Sequence, residues 1–157
     1  MKEELYKKFE DSCAYGNIEE VKKYIEMGVN INASRNNSEI NALKASLSQG
    51  NFDIAEFLLQ NGINPDLVLL QSYISVEVED LMFEIEAGRL SNSDEPNSQY
   101  TELLIKYGIN INSIDFRGKT PLNTAIEDKH PKAEKLLRSL GAKTSEKLKL
   151  ESKENKD

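Results

Sequence analysis

The chain has 157 residues, 38% of them hydrophobic and 30% charged, with a formal net charge of −7. An acidic balance of this size repels phosphate backbones, which disfavours nucleic acid and better suits a basic protein partner. One cysteine, Cys13, and one histidine, His130, exclude an intrachain disulfide and leave too few ligands for a zinc site.

The N-terminal "MKEELYKKFEDS" is charged where a signal peptide needs an apolar core. No stretch approaches the roughly 18 apolar residues of a membrane span, so a reducing, cytoplasmic setting is expected.

In chain order, a short helix is expected within "KKFEDSCAYGN", with Cys13 a small residue at a helix–helix contact. Residues 16–32, "GNIEEVKKYIEMGVNIN", predict a second helix whose apolar face is Val21, Tyr24 and Ile25 and whose stop is Gly28. The pair then recurs. "NALKASLSQGN" begins at Asn41, and residues 50–66, "GNFDIAEFLLQNGINPD", put Phe52, Ile54, Ala55, Leu58 and Leu59 on one face before Gly62.

Between Asp66 and Asn97 the pattern breaks. "YISVEVE" alternates like a strand, and "DLMFEIEAG" (80–88) reads as a first helix with Leu81, Ile85 and Gly88 in place. That register makes the preceding finger several residues too long; a rival register makes 75–87 one longer helix. The first is preferred. "RLSNSDEPNS" has the composition of a loop. The insertion is either a neutral surface feature or a partner-contacting, lid-like element. Its carboxylates, Glu77, Glu79, Asp80, Glu84 and Glu86, read as solvated helix faces.

Helical periodicity resumes in "NSQYTELLIKYGININ" (97–112), with Leu103 and Leu104 apolar and Gly108 as the stop. In "DFRGKTPLNTAI" (115–126), Thr120 is a candidate N-cap and Pro121 takes the first helical position, where its missing N–H costs nothing. Leu122, Ala125 and Ile126 supply the buried face. "HPKAEKLLRSLGAKT" (130–144) closes with Leu136, Leu137 and Gly141. The last stretch, 145–157, is charged; its start extends a capping helix with Leu148 and Leu150, and its end frays.

The late glycines 28, 62, 108 and 141 are separated by 34, 46 and 33 residues, so a 33-residue unit repeats four times with an insertion in the third copy. Asn residues following these glycines, in "VNIN", "INPD" and "ININ", suit turns through side chain–backbone bonds. The sequence holds no nucleophile elbow, phosphate loop, dinucleotide fingerprint or calcium loop. His130 and Cys13 read as structural, and no catalytic, cofactor or metal residue is assigned.

Asp115, Gly118, Thr120, Pro121, Leu122 and Ala125, with the Gly16-Asn17 and Gly50-Asn51 pairs, resemble the ankyrin repeat; Asn123 replaces the family's histidine. The resemblance implies an all-α solenoid of four helix-turn-helix units with short β-hairpin fingers. The repeats fall at about 3–32, 33–66, 67–112 and 113–144, followed by a charged cap or tail. It also implies a non-enzymatic protein–protein interaction module, binding its partner through fingers and concave face. Carried over position by position, that surface comprises Tyr15, Asn37, Ser38, Ile40, Ser48, Gln49, Glu86, Phe116, Arg117, Lys119, Glu127 and Asp128. Tyr15 and Phe116 are its aromatic anchors. A monomer binding a basic patch is expected. The composition is similar to small bacterial ankyrin proteins, and the alternative role is a scaffolding or toxin-neutralising subunit of a bacterial complex.

Overall fold

The computed structural model describes residues 2–34 and 40–155. The described residues contain helices and no strand, and they divide into two compact units, 1–68 and 69–157.

In the first unit, α1 (Lys2–Ala14) packs on α2 (Ile18–Glu26) and α3 (Ala42–Ser48), and α3 packs on α4 (Phe52–Gln60). A 3-10 turn, Pro65–Leu67, ends the unit. Phe9, Cys13, Val21, Leu43, Leu47, Ile54 and Leu58 are fully buried. The Phe9 ring lies 5.9 Å from Tyr6 and 6.4 Å from Tyr24, tilted and edge-on respectively. Cys13 sits in the helix–helix contact as its size suggested. Burial, with a contribution from the Glu10 charge, pushes its thiol up to about 12.

The second helices end alike. At Gly62, φ is +87°, a conformation glycine adopts without a Cβ clash. Gly62 N–H then donates to Leu59 O, and Ile63 N–H reaches back to Leu58 O. The same pair of bonds recurs after Gly28, Gly108 and Gly141, so the expected stops are helix stops.

The asparagines after those glycines do more than shape turns. Asn30, Asn64 and Asn110 each accept from the backbone two residues on. Asn32 also reaches the following repeat, donating to Gly62 O at 3.2 Å and accepting from Asn64 N at 2.6 Å. Asn112 likewise accepts from Lys143 N at 2.8 Å.

In the second unit, α5 (Leu70–Glu86) packs on α6 (Gln99–Lys106) and α7 (Pro121–Glu127). α8 (Pro131–Ser139) packs on α7, and α9 (Ser145–Glu154) follows. The entry into α7 is as read from sequence: Thr120 Oγ1 accepts from Asn123 N, and Thr120 N–H donates to Asn123 Oδ1. Asn123, at the position of the family's histidine, therefore keeps a hydrogen-bonded link to Thr120. It also accepts from Ser145 N at 2.8 Å, tying α7 to the start of α9. Ile126, expected on the buried face, is 38% exposed, because the contact face of this short helix is set by Leu122 and Ala125. In α9, Leu148 is half-buried and Leu150 faces solvent.

Two expectations are corrected at the third repeat. "YISVEVE" is not a strand-like finger but part of α5, 17 residues long against seven for α3 and α7. The rival long-helix reading is nearer, though the helix begins earlier still, at Leu70. Leu70, Tyr73, Ile74 and Glu77 are buried at helical spacing, and this tertiary burial outweighs the strand propensity of the β-branched residues. The finger is shorter, not longer: eight positions separate Gly62 from Leu70, against thirteen from Gly108 to Pro121. The extra residues lie in α5 and the loop after it. Gly88 does end the helix as read, with Arg89 N–H bonded to Glu84 O.

The hairpin fingers expected from the family are not seen as strands among the described residues. The finger before α7 is a turn, closed by Asp115 N–H to Lys119 O at 3.0 Å and Gly118 N–H to Asp115 O at 2.9 Å.

Candidate functional site

The finger turn is built around one carboxylate. Asp115 is buried and accepts from Arg117 N and Lys119 N through Oδ1, and from Arg117 Nε through Oδ2, each at 2.9 Å. Burial alone would raise its pKa; together the Lys119 and Arg117 backbone bonds and the Arg117 side chain overcome this and hold it below the usual carboxylate range. The turn so fixed holds Phe116 outward, 93% exposed, with the Arg117 guanidinium 5.8 Å from the ring centre.

The charged neighbours assigned to this surface are already engaged. Arg117 pairs with Asp115, Lys119 with Glu127, and Asp128 accepts from Ser75 Oγ at 2.6 Å. Hydrogen bonding to Glu127 raises the Lys119 pKa. Exposed pairs such as Lys119–Glu127 are weak, because water screens them. Glu86 is exposed near the end of α5.

In the first unit, Ile40, Ser48 and Gln49 line a groove of about 420 Å³ with Ala14, Lys44 and Asp11. Tyr15 follows Ala14 and is 85% exposed. Asn37 and Ser38 lie outside the described residues.

Sequence reading missed a buried polar cluster. Glu77, taken for a solvated carboxylate, is 2% exposed because it continues the packed face of α5. Its Oε1 accepts from Thr101 N at 2.9 Å, and its Oε2 from Thr101 Oγ1 at 2.6 Å. His130 Nε2 is 2.9 Å from that same Oε2 and 3.2 Å from Asn97 O, while Nδ1 accepts from Ala133 N at 3.3 Å. An accepting Nδ1 puts the ring proton on Nε2, which donates to both oxygens. The three residue types invite comparison with a nucleophile–base–acid relay, but the order is wrong. The Thr101 hydroxyl donates to the carboxylate rather than to His130, and Thr101 and His130 are fully buried. No local signal could have found this cluster, since its members lie 24 and 53 positions apart.

Beside it, the C-terminal half of α5 and the loop after it form a second groove of about 420 Å³, lined by Asp80, Leu81, Glu84, Leu90, Glu95 and Lys132 among others. Converging carboxylates raise the question of acid–base catalysis. Glu84 is clamped by the Arg89 guanidinium, which lowers its pKa, and Glu77 is committed to Thr101 and His130. Among the described residues, no group of three His, Cys, Asp or Glu side chains could hold a metal ion, and no helix is long and apolar enough to cross a membrane.

Paired helices with a common stop, joined by side-chain bonds to the next pair, define an all-α repeat protein. Residues 11–59 match the family model described as ankyrin repeats (many copies), so this part of the chain is similar to that family. Ankyrin repeats generally mediate protein–protein interactions. The comparison with curated proteins gives no match.

Proposed function

We propose that the protein is a non-enzymatic binding module that engages a partner protein through its finger and inner-helix surfaces. The observation that carries this reading is Phe116, a large apolar side chain held 93% exposed on a turn that Asp115 makes rigid. An exposed aromatic on a turn whose backbone is already hydrogen-bonded is a favourable anchor, since little backbone entropy remains to be lost on binding. Tyr15 and Ile40, beside the groove of the first unit, are the corresponding apolar contacts there, and the net charge of −7 favours a partner with a basic patch.

The test is co-purification from the native cell with wild-type protein and with Tyr15→Ala, Phe116→Ala and the double variant. Loss of a specific partner in the double variant, with the helical circular dichroism spectrum retained, supports the reading. Unchanged recovery of the partner with both substitutions overturns the surface assignment.

A further inference from the structure

The C-terminal half of α5 carries no fully buried residue. Its buried residues end at Glu77, and beyond them Met82 and Phe83 are 51% and 64% exposed. The conformation is nonetheless fixed. Arg89 clamps Glu84 and lies 5.4 Å from the Phe83 ring centre, while Asp94 accepts from both the amide and the hydroxyl of Ser91. His130 holds Asn97 O from below. The groove between helix and loop is thereby preorganised, with Leu90, 43% exposed, at its edge.

The electrostatics of this surface are one-sided. Residues 79–97 contain Glu79, Asp80, Glu84, Glu86, Asp94 and Glu95 against a single cation, Arg89. That is six against one, or five of the seven net negative charges of the chain. Only Lys132, on α8, brings a cation to the groove lining, 3.9 Å from Glu95. Exposed Phe83 and Leu90 beside these carboxylates match a partner that alternates apolar side chains with lysine or arginine. A purely ionic ligand would have no use for the first set, and a purely apolar one would leave the second desolvated.

We propose that this surface is a second docking site, separate from the finger and inner-helix surface, and that its occupant is a basic amphipathic segment of another protein. Cationic side chains of the segment enter the groove between Asp80, Glu84 and Glu95, while its apolar face covers Phe83 and Leu90.

The probe is a synthetic helical leucine/lysine peptide, titrated into the full-length protein by fluorescence anisotropy and by amide chemical-shift mapping. Controls are the same peptide with glutamate for lysine and one with serine for leucine. The expected result is binding of the leucine/lysine peptide alone, with shifts concentrated in residues 79–97. Affinity should fall about tenfold in Asp80→Asn/Glu95→Gln and again in Phe83→Ala/Leu90→Ala, and stay unchanged in Tyr15→Ala/Phe116→Ala. All these positions are solvent-exposed, and circular dichroism checks that each variant folds. The proposal is overturned by equal binding of either control peptide, by unchanged affinity in both α5-surface variants, or by shifts mapping to the finger. Light scattering covers the remaining occupant: self-association abolished by Phe83→Ala would make it a second copy of this chain and refute the proposal. Because the Tyr15/Phe116 pair is read separately, failure here leaves the first surface untouched.

Discussion

His130 and Asn51 hold the same station in their repeats and perform the same task. Each begins a second helix and donates from its side chain to carbonyls of the preceding repeat: Asn51 to Cys13 O and Ala14 O, His130 to Asn97 O. His130 carries the extra duty of satisfying Glu77. Its removal leaves a cavity and strips a buried carboxylate oxygen of one donor, so His130→Ala is expected to cost about 3 kcal/mol. Asn51→Ala, which only orphans two carbonyls, should cost about 1–2 kcal/mol. Urea unfolding midpoints distinguish them; equal losses would mean that the Glu77 bond contributes nothing. The residue before His130 offers the opposite opportunity. Lys129 is the one non-glycine with positive φ among the described residues, at 58°, where the other repeats place Gly16, Gly50 and Gly88. Lys129→Gly removes that strain and is expected to stabilise by about 1 kcal/mol, read as a raised thermal midpoint. Cys13 gives a pH signature. Its folded-state pKa is raised from 9.0 to about 12, so above pH 9 the unfolded chain loses the thiol proton first and unfolding is favoured as pH rises. The Cys13 contribution is intact below pH 9 and declines by up to about 1.4 kcal/mol per pH unit toward 12. The stability difference between wild type and Cys13→Ala should therefore narrow over that window; a constant difference would contradict the burial argument.

Among the elements, α7 and α5 mark the limits of what sequence could reveal. The start of α7 was legible because every signal is local: a cap at Thr120, a proline in the first turn, a partner at Asn123 three residues on. The helix stops were legible for the same reason, each being a glycine after an apolar run. The position of Phe116 on the finger turn could be placed by register, whereas the engagement of Lys119, Glu127 and Asp128 with neighbours could not. In α5, Val76 and Val78 alternate with Ser75, Glu77 and Glu79, and only packing against α6 and α7 selects the helix. Its burial is confined to one half, which makes a direct prediction. Ile74→Ala, at a fully buried position, should cost about 2–4 kcal/mol, while Phe83→Ala should change stability by less than about 0.5 kcal/mol. Denaturant melts of the two variants check this, and comparable losses would place the C-terminal half of α5 in the core after all.

For the whole molecule, charge predicts how partners arrive rather than how long they stay. With a net charge of −7, and an excess of five negative charges within residues 79–97, a basic partner is drawn in by a field that salt screens over about 10 Å at 0.1 M. The dissociation rate depends instead on close contacts such as those proposed for Phe116, which salt barely alters. Raising sodium chloride from about 50 to about 500 mM should therefore slow association of a captured basic partner by tenfold or more, with a much smaller change in dissociation. The two surfaces then separate kinetically. Asp80→Asn/Glu95→Gln should lower the association rate and flatten its salt dependence, whereas Phe116→Ala should raise the dissociation rate and leave the salt dependence intact. Surface plasmon resonance across the salt series reads both rates. If salt acted mainly on dissociation, charge would belong to the bound interface itself, and the finger-centred account of affinity would fail.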